Sequence, residues 1–545
     1  MKLTTAANIM LQDENAINNA REYVNADYNA AVKKHRFLNS HVPVAEYIYC
    51  NQKEDALGIM NAFYTSNVRA VSVQKKTKVG ADGLMIELVK LMTTHSDDNF
   101  IINPNNIRIL TGMSNKGWED DMKAKVPNCF IDKIFHHGKL SKSDLSNLNN
   151  ALIIIDEIDS GDKETQKLHS TLKDAGVLDT EHMRNNNNRF VFISATMAKE
   201  LYDLYQWGDL HKLLIMTIPS NYIGHFEFLK RGIIKEFYPM KIKEDAERWI
   251  QEDILDNYAE DFRVHIVRTV KNNVNTIQDA CITKDVHFLN HTSDTRLSYD
   301  ELKSIFEKRL EKHVVIAVKG FYRRANLIPN EWKKRIGAVH EYFTTKVDTN
   351  VQIQGLPGRM TGYWFDIIEN GHKTGPYRTS VKAVREYETS YNDPFGNNSY
   401  TTSGFVKRKG NITVNAPTFL SPKNIDNLEA VNLPIINDPW ELITDTFDNI
   451  EDANKLLVKH KCREKKTFAR DENGFIKSST TKNKQVLRLA DVQNEAGSWS
   501  NVSLFDIKPD GPKQYGRMII AYENINDNTT DRYIIRIIKK VNPVE

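Results

Sequence analysis

Between about residues 45 and 225, short β-type apolar runs alternate with helical stretches, and this alternation restricts the fold more than any other feature. The runs are Ala70-Val71-Ser72-Val73, Ile107-Arg108-Ile109-Leu110, Ala151 to Ile155, and Phe190-Val191-Phe192-Ile193, with helical segments such as Gly83 to Met92 between them. Strands that return through a helix each time line up in parallel. Runs that are apolar throughout belong to a sheet covered on both faces. A second block of the same kind follows a charged helix at about Lys241 to Ala259. Its expected strands are Val264-His265-Ile266-Val267, Val286-His287-Phe288-Leu289, and Val314 to Val318.

At 545 residues the chain is too long for one core. The expected division is an N-terminal helical extension over 1–44, a first α/β domain over 45–235, a second over 236–372, and a C-terminal mixed α/β accessory domain over 373–545. Gly396 to Gly404 reads as a loop or linker, and Arg517 to Tyr522 with Arg532 to Ile538 as a β-hairpin.

Composition narrows the class. No apolar run is long enough to cross a bilayer, and the polar start Met1 to Asn8 has no signal-peptide core. An intracellular protein is expected. Cys50, Cys129, Cys281 and Cys462 lie far apart without a CxxC pair, which argues against a zinc site or a disulfide framework. The net charge of +3 neither demands nor excludes a nucleic-acid partner.

The run Leu152 to Ile155 leads directly into Asp156-Glu157. Ligands of parallel sheets bind beyond the strands' carboxyl ends. Two acids there can divide nucleotide hydrolysis: Asp156 holding Mg²⁺, Glu157 polarising the attacking water. A solvated acidic turn is the plain alternative. About forty residues on, another strand ends in Ser194-Ala195-Thr196.

Together these segments resemble motifs II and III of superfamily 2 helicases, the DEAD/DEAH-type motors. That resemblance implies two tandem RecA-like domains clamping ATP and Mg²⁺. Asp156 and Asp82 would stand nearest the metal, and Ser194 and Thr196 would couple hydrolysis to strand movement. Tyr49-Cys50-Asn51-Gln52 resembles the Q motif, in which Gln52 reads adenine. Leu110 to Ser114 and Phe135 to Leu140 resemble motifs Ia and Ib, which would bring Thr111, Gly112, His137, Gly138 and Lys139 to nucleic-acid phosphates. Gln354 to Tyr363 resembles motif VI, with Gln354 and Arg359 reaching the nucleotide. Val264 to Thr269 and Lys319 to Arg324 stand where motifs IV and V belong. The family texture, with Ser220 to His225, is similar to helicases of phages and large DNA viruses. It implies a protein of an infected host cell and DNA, with RNA as the other candidate, as partner.

Two positions depart from the family. The phosphate loop Gln74 to Asp82 keeps Gly80, but Ala81 stands where the catalytic lysine belongs and Asp82 where the Mg²⁺-binding hydroxyl belongs. Thr77 and Lys78 lie in the same loop, and Lys76 or Lys78 could supply the missing charge. Ala81 is open to three readings: rescue by such a neighbour, an introduced Lys→Ala change, or a natural form that binds nucleotide without turning it over. In motif VI, Gly362 stands where relatives carry a second arginine.

Lys455, Lys459, Lys461, Arg463, Lys465, Lys466 and Arg470 form a basic stretch interleaved with Phe468 and Phe475. Basic residues with aromatics suit single-stranded nucleic acid; a solvated helix face is the alternative. The resulting expectation is an ATP-dependent nucleic-acid helicase or translocase, with a non-hydrolysing pseudo-helicase and a terminase-type packaging motor as alternatives.

Overall fold

The computed structural model describes residues 14–39, 46–64, 67–94, 102–113, 116–160, 166–174, 179–201, 207–270, 273–292, 295–322, 328–394, 400–402, 405–408, 411–414, 440–465, 468, 470–476, 486–489, 492–493 and 514–540. It divides into two units, Met1–Ile435 and Ile436–Glu545.

The first unit contains the expected tandem of parallel-sheet domains. Six strands form the first sheet: β1 (Ala70–Gln74), β2 (Ile107–Thr111), β3 (Ile134–Phe135), β4 (Leu152–Asp156), β5 (Arg189–Ser194) and β6 (His211–Ile215), in the order β3-β2-β4-β5-β1-β6. Every residue of β1, β4 and β5 is buried, as continuous apolar strands of a covered sheet should be. The run His211-Lys212-Leu213-Leu214-Ile215, which opens on two polar residues, also forms a strand, with His211 buried against the Ser72 hydroxyl at 2.8 Å. The parallel register aligns the carboxyl ends: Thr111 faces Asp156, Asp156 faces Ile193, and Ser194 faces Gln74.

The second sheet contains β7 (Ile234–Glu236), β8 (Val264–Arg268), β9 (His287–His291), β10 (Val314–Val318), β11 (Ile336–His340) and β12 (Tyr377–Thr379), in the order β7-β12-β11-β8-β10-β9. It draws on residues outside the expected limits of 236 and 372. Strands β7 and β12 pair at its edge, and its core takes in residues from Ile223 to Tyr400. After it come the helix Val381–Asn392 and a small antiparallel sheet of β13 (Tyr400–Thr402), β14 (Phe405–Arg408) and β15 (Asn411–Val414). The N-terminal extension forms the helix Glu14–Leu38, with Tyr28 donating to Glu87 at 2.6 Å.

The second unit is an antiparallel sheet of β16 (Trp440–Phe447), β17 (Gln514–Tyr522) and β18 (Asp531–Lys540), with β18 central. The expected hairpin is its β17–β18 pair. The helix Ile450–Lys459 packs Ala453 and Leu457 onto Ile535 and Ile537. Among the described residues, no helix is long and apolar enough to cross a membrane.

Candidate functional site

The chain turns sharply after β4. Glu157 has φ 53, a left-handed conformation uncommon for a residue with a side chain. Ser160 N–H closes the turn on the Glu157 carbonyl at 2.8 Å. The turn presses on the end of β2: a Cβ at Gly112 would fall 1.8 Å from the Ser160 carbonyl oxygen, so only glycine fits there.

Asp156 and Glu157 line a cavity of about 470 Å³ together with Lys75, Lys78, Asp82, Gln354 and Arg359. The Lys75 ammonium lies 2.9 Å from Asp156 Oδ1 and 3.2 Å from Glu157 Oε1. Burial alone would lower the Lys75 pKa; Asp156 and Glu157 outweigh it and hold the ammonium above the usual lysine range. Asp156 also accepts from the Trp118 indole at 2.9 Å. Its carboxyl is pushed up by burial, which Lys75 opposes and the Glu157 charge adds to. A cation therefore stands beside the acids, but it comes from the loop's start.

Ala81 opens the helix Ala81–Thr94 and is buried. Asp82, half-buried, pairs with Lys125 at 2.6 Å. Burial raises the Asp82 pKa, but Lys125, with help from Lys75 and Lys78, holds it below the usual range. Of the two rescue candidates, Lys76 is engaged elsewhere: its ammonium lies 2.6 Å from Glu388 and 3.6 Å from the Tyr391 ring centre. Lys78 faces the cavity with φ 60, and among the described residues no ion pair or hydrogen bond engages its ammonium. Burial and then the Arg359 charge push Lys78 well below the usual range. Such a cation gains most from an anionic ligand.

The wall opposite the acids comes from the second sheet. Gln354 donates to Glu157 Oε2 at 3.3 Å and to Thr196 Oγ1 at 3.4 Å, and its carbonyl accepts from Arg359 at 2.9 Å. The short helix Leu356–Met360 that carries Arg359 is positioned by Glu341, whose carboxylate accepts from Leu356 N–H at 2.7 Å. Arg268, at the end of β8, pairs with the same carboxylate at 2.5 Å and donates to the Phe321 and Tyr322 carbonyls. Nothing in the sequence singled out this Arg268–Glu341 pair; its signal was position alone, each lying at the carboxyl end of a strand.

The phosphate loop is tied to the second wall as well. Thr77 accepts through its carbonyl from Thr361 at 2.8 Å and from Tyr222 at 2.6 Å, while Tyr363 donates to the Val79 carbonyl at 2.5 Å. Sequence reading missed Tyr222, Thr361 and Tyr363 in this role. Gln52 bridges the helix Cys50–Phe63 to the loop: its amide donates to the Gly80 carbonyl at 2.7 Å and its oxygen accepts from Tyr49 N–H at 2.9 Å. Tyr49 stacks on Tyr363 with ring centres 5.3 Å apart.

Ser194 and Thr196 donate to Asp159 at 2.7 and 2.8 Å, so their hydroxyls hold the acid turn in place. The segments of Thr111 and His137 adjoin, His137 N–H donating to the Met113 carbonyl at 3.1 Å. Thr111, however, is fully buried, with its hydroxyl accepting from Met113 N–H at 3.3 Å; it faces inward and not toward a phosphate. Gly112 is closed off on one side by Ser160. His137 and Lys139 are half-buried and Gly138 is exposed, with the Lys139 ammonium 2.5 Å from Glu119.

In the second unit, Lys461 and Arg463 are exposed, and the Lys465 ammonium lies 5.6 Å from the Phe468 ring centre. Lys466, Ser114, Arg323 and Arg324 lie outside the described residues.

For a divalent cation, Asp156 and Asp82 place two carboxylates on the cavity wall, hard donors of the kind Mg²⁺ takes. No group of three or more histidine, cysteine or acidic side chains suited to a metal occurs among the described residues. A metal here would complete its shell from nucleotide and water.

No family model matches the chain, and no curated protein matches it. Among solved structures it is similar to a variant of S. cerevisiae Dbp5 bound to RNA and ADP BeF3, at 13% identity over 68% of this chain and 93% of that one, TM-score 0.38. It is similar also to the E. coli DExH-box NTPase HrpB, at 11% identity over 58% of this chain and 37% of that one, TM-score 0.30. The DEAD-box helicase Mss116 bound to ssRNA and UDP-BeF matches at 13% identity over 62% and 70%, TM-score 0.29. Values this low assign no function.

Proposed function

We propose that this chain is an ATP-dependent nucleic-acid motor, a helicase or translocase acting on DNA. One observation carries the reading: the acid turn Asp156-Glu157 and the Gln354–Arg359 segment meet across one cavity, joined by the Gln354–Glu157 hydrogen bond at 3.3 Å. Nucleotide hydrolysis needs these parts together: an acid near the metal, a base for water, and a cation facing the transferred phosphoryl group.

In this reading the polyphosphate enters along the loop Lys75 to Gly80, where, among the described residues, no ion pair or hydrogen bond engages the Lys78 ammonium. Asp156 and Asp82 would hold Mg²⁺, which would supply charge neutralisation at the phosphates. Glu157 takes the proton of the attacking water once Lys75 moves off it. Arg359 faces the charge that builds on the phosphoryl group. Gln354, hydrogen-bonded to Glu157, Thr196 and Arg359, reports the state of the first sheet to the second. Gln52 and Tyr49 stand at the base end. Nucleic acid is bound by His137, Gly138 and Lys139, and in the second unit by Lys461, Arg463 and Lys465.

A non-hydrolysing nucleotide-binding form is the second reading, and Lys75 is the observation that favours it. Its ammonium lies 3.2 Å from Glu157 Oε1, where the attacking water would have to reach the carboxylate.

ATP hydrolysis with single- and double-stranded DNA and RNA, by this chain and by Ala81→Lys, tests the proposal. Turnover stimulated by nucleic acid is expected. If neither protein turns over ATP, the motor reading fails; nucleotide binding alone then selects the second reading.

A further inference from the structure

Lys333 ends the short helix Asn330–Lys333 and is 3% exposed. A lysine this deep normally pairs with a carboxylate. Among the described residues Lys333 has no such partner: its ammonium donates to the Thr361 carbonyl at 2.7 Å and to Asn330 Oδ1 at 2.9 Å, both neutral. An ammonium has three donors, so one remains. Lys333 lines the same cavity as Asp156 and Arg359. Gly362 makes room for it. A Cβ there would stand 2.9 Å from the Lys333 ammonium, and the φ of +140 is one that glycine alone adopts readily.

We infer that Lys333 is a second phosphate-binding cation, contributed by the second sheet's side, which engages the polyphosphate of a bound nucleoside triphosphate. This rests on the motor reading above, but it concerns a residue that no motif marks.

The physical argument is one of unmet charge. Burial, then the nearby Arg359, pushes the Lys333 pKa down to about 7. Arg359 is the charged group bearing most directly on it. Across the cavity stand Lys75, Lys78 and Asp82 from the phosphate loop and its helix, and Asp121 from the helix Lys116–Lys125. Asp156 and Glu157 complete that wall. At pH 8 the free amine is mostly neutral. A polyanion favours the charged form, so binding draws a proton from solvent onto Lys333. Affinity should therefore fall as pH rises above about 7.

The test is calorimetric titration of the full chain with ADP and with a non-hydrolysable ATP analogue. It is run at pH 8 in two buffers of different ionisation heat, on wild type, Lys333→Arg and Lys333→Met. The wild type should take up protons on binding. Lys333→Arg, always charged, should keep affinity within about threefold while taking up fewer protons. Lys78 contributes uptake of its own, which Lys333→Arg leaves in place. Lys333→Met should bind about tenfold more weakly at pH 7. Unchanged proton uptake in Lys333→Arg overturns the inference, as does unweakened binding by a folded Lys333→Met. Absence of any nucleotide binding by wild type overturns the motor reading and this inference with it. Binding with unchanged protonation overturns this inference alone.

Discussion

The two parallel sheets of the first unit have similar architecture and opposite chemistry at the cavity. Among the described residues the first contributes every acid there, Asp82, Asp121, Asp156 and Glu157, together with Lys75 and Lys78. Among the described residues the second contributes neutral and cationic groups, among them Lys333, Gln354 and Arg359. The first sheet can therefore prepare water and metal by itself. The second can only answer charge that develops on a ligand. On the motor reading proposed above, this division would make the joint between the sheets the place where hydrolysis and movement are coupled.

The largest expected effect falls on the first sheet. Glu157→Gln removes the base but keeps the side chain's size and one acceptor oxygen for Gln354. ATP turnover should drop about 10²–10⁴-fold with nucleotide binding retained. Unchanged turnover in this variant takes the base away from the first sheet and breaks the contrast. A smaller effect separates the two lysines of the phosphate loop. Lys78→Met should weaken nucleotide binding about tenfold, and Ala81→Lys in that background should restore it. If Lys78→Met binds as well as wild type, the loop's cation is Lys75.

The mildest test concerns stability. His211 in the first sheet and His340 in the second are both buried, and burial lowers each pKa to about 3 from an ordinary 6.5. The unfolded chain protonates both below 6.5 while the folded chain does not. Stability is full above that pH and declines as pH falls toward 3, by up to about 1.4 kcal/mol per pH unit for each histidine. Urea midpoints at several pH values should show this slope, and His211→Gln should remove the first sheet's share. An equal slope in that variant assigns the acid sensitivity elsewhere.

The first sheet was more legible in the sequence than the second. Strands β1, β2, β4 and β5 are apolar almost throughout, and that pattern admits few alternatives. Strands β7 and β12 have three residues each, Ile-Lys-Glu and Tyr-Arg-Thr, too short and polar to stand out. The site divides in the same way. Asp156 and Glu157 were readable because a strand's end fixes where its next residues point. Lys75, Lys333 and Arg268 were not, because a long cation's position depends on which distant segment leaves room for it. Gly362 read as a missing arginine in the sequence and admits Lys333 in the structure. Thr111 erred the other way: a hydroxyl expected at a phosphate is buried against its own turn.

The central claim is that the second sheet acts on chemistry prepared by the first, and Arg359 tests it most directly. ATP turnover and ATP binding are measured side by side, with single-stranded DNA present, for wild type and Arg359→Ala. Turnover should fall about a hundredfold while affinity changes far less, because the arginine meets charge that develops only as the phosphoryl group transfers. Turnover equal to wild type would contradict the claim and leave the first sheet to work alone.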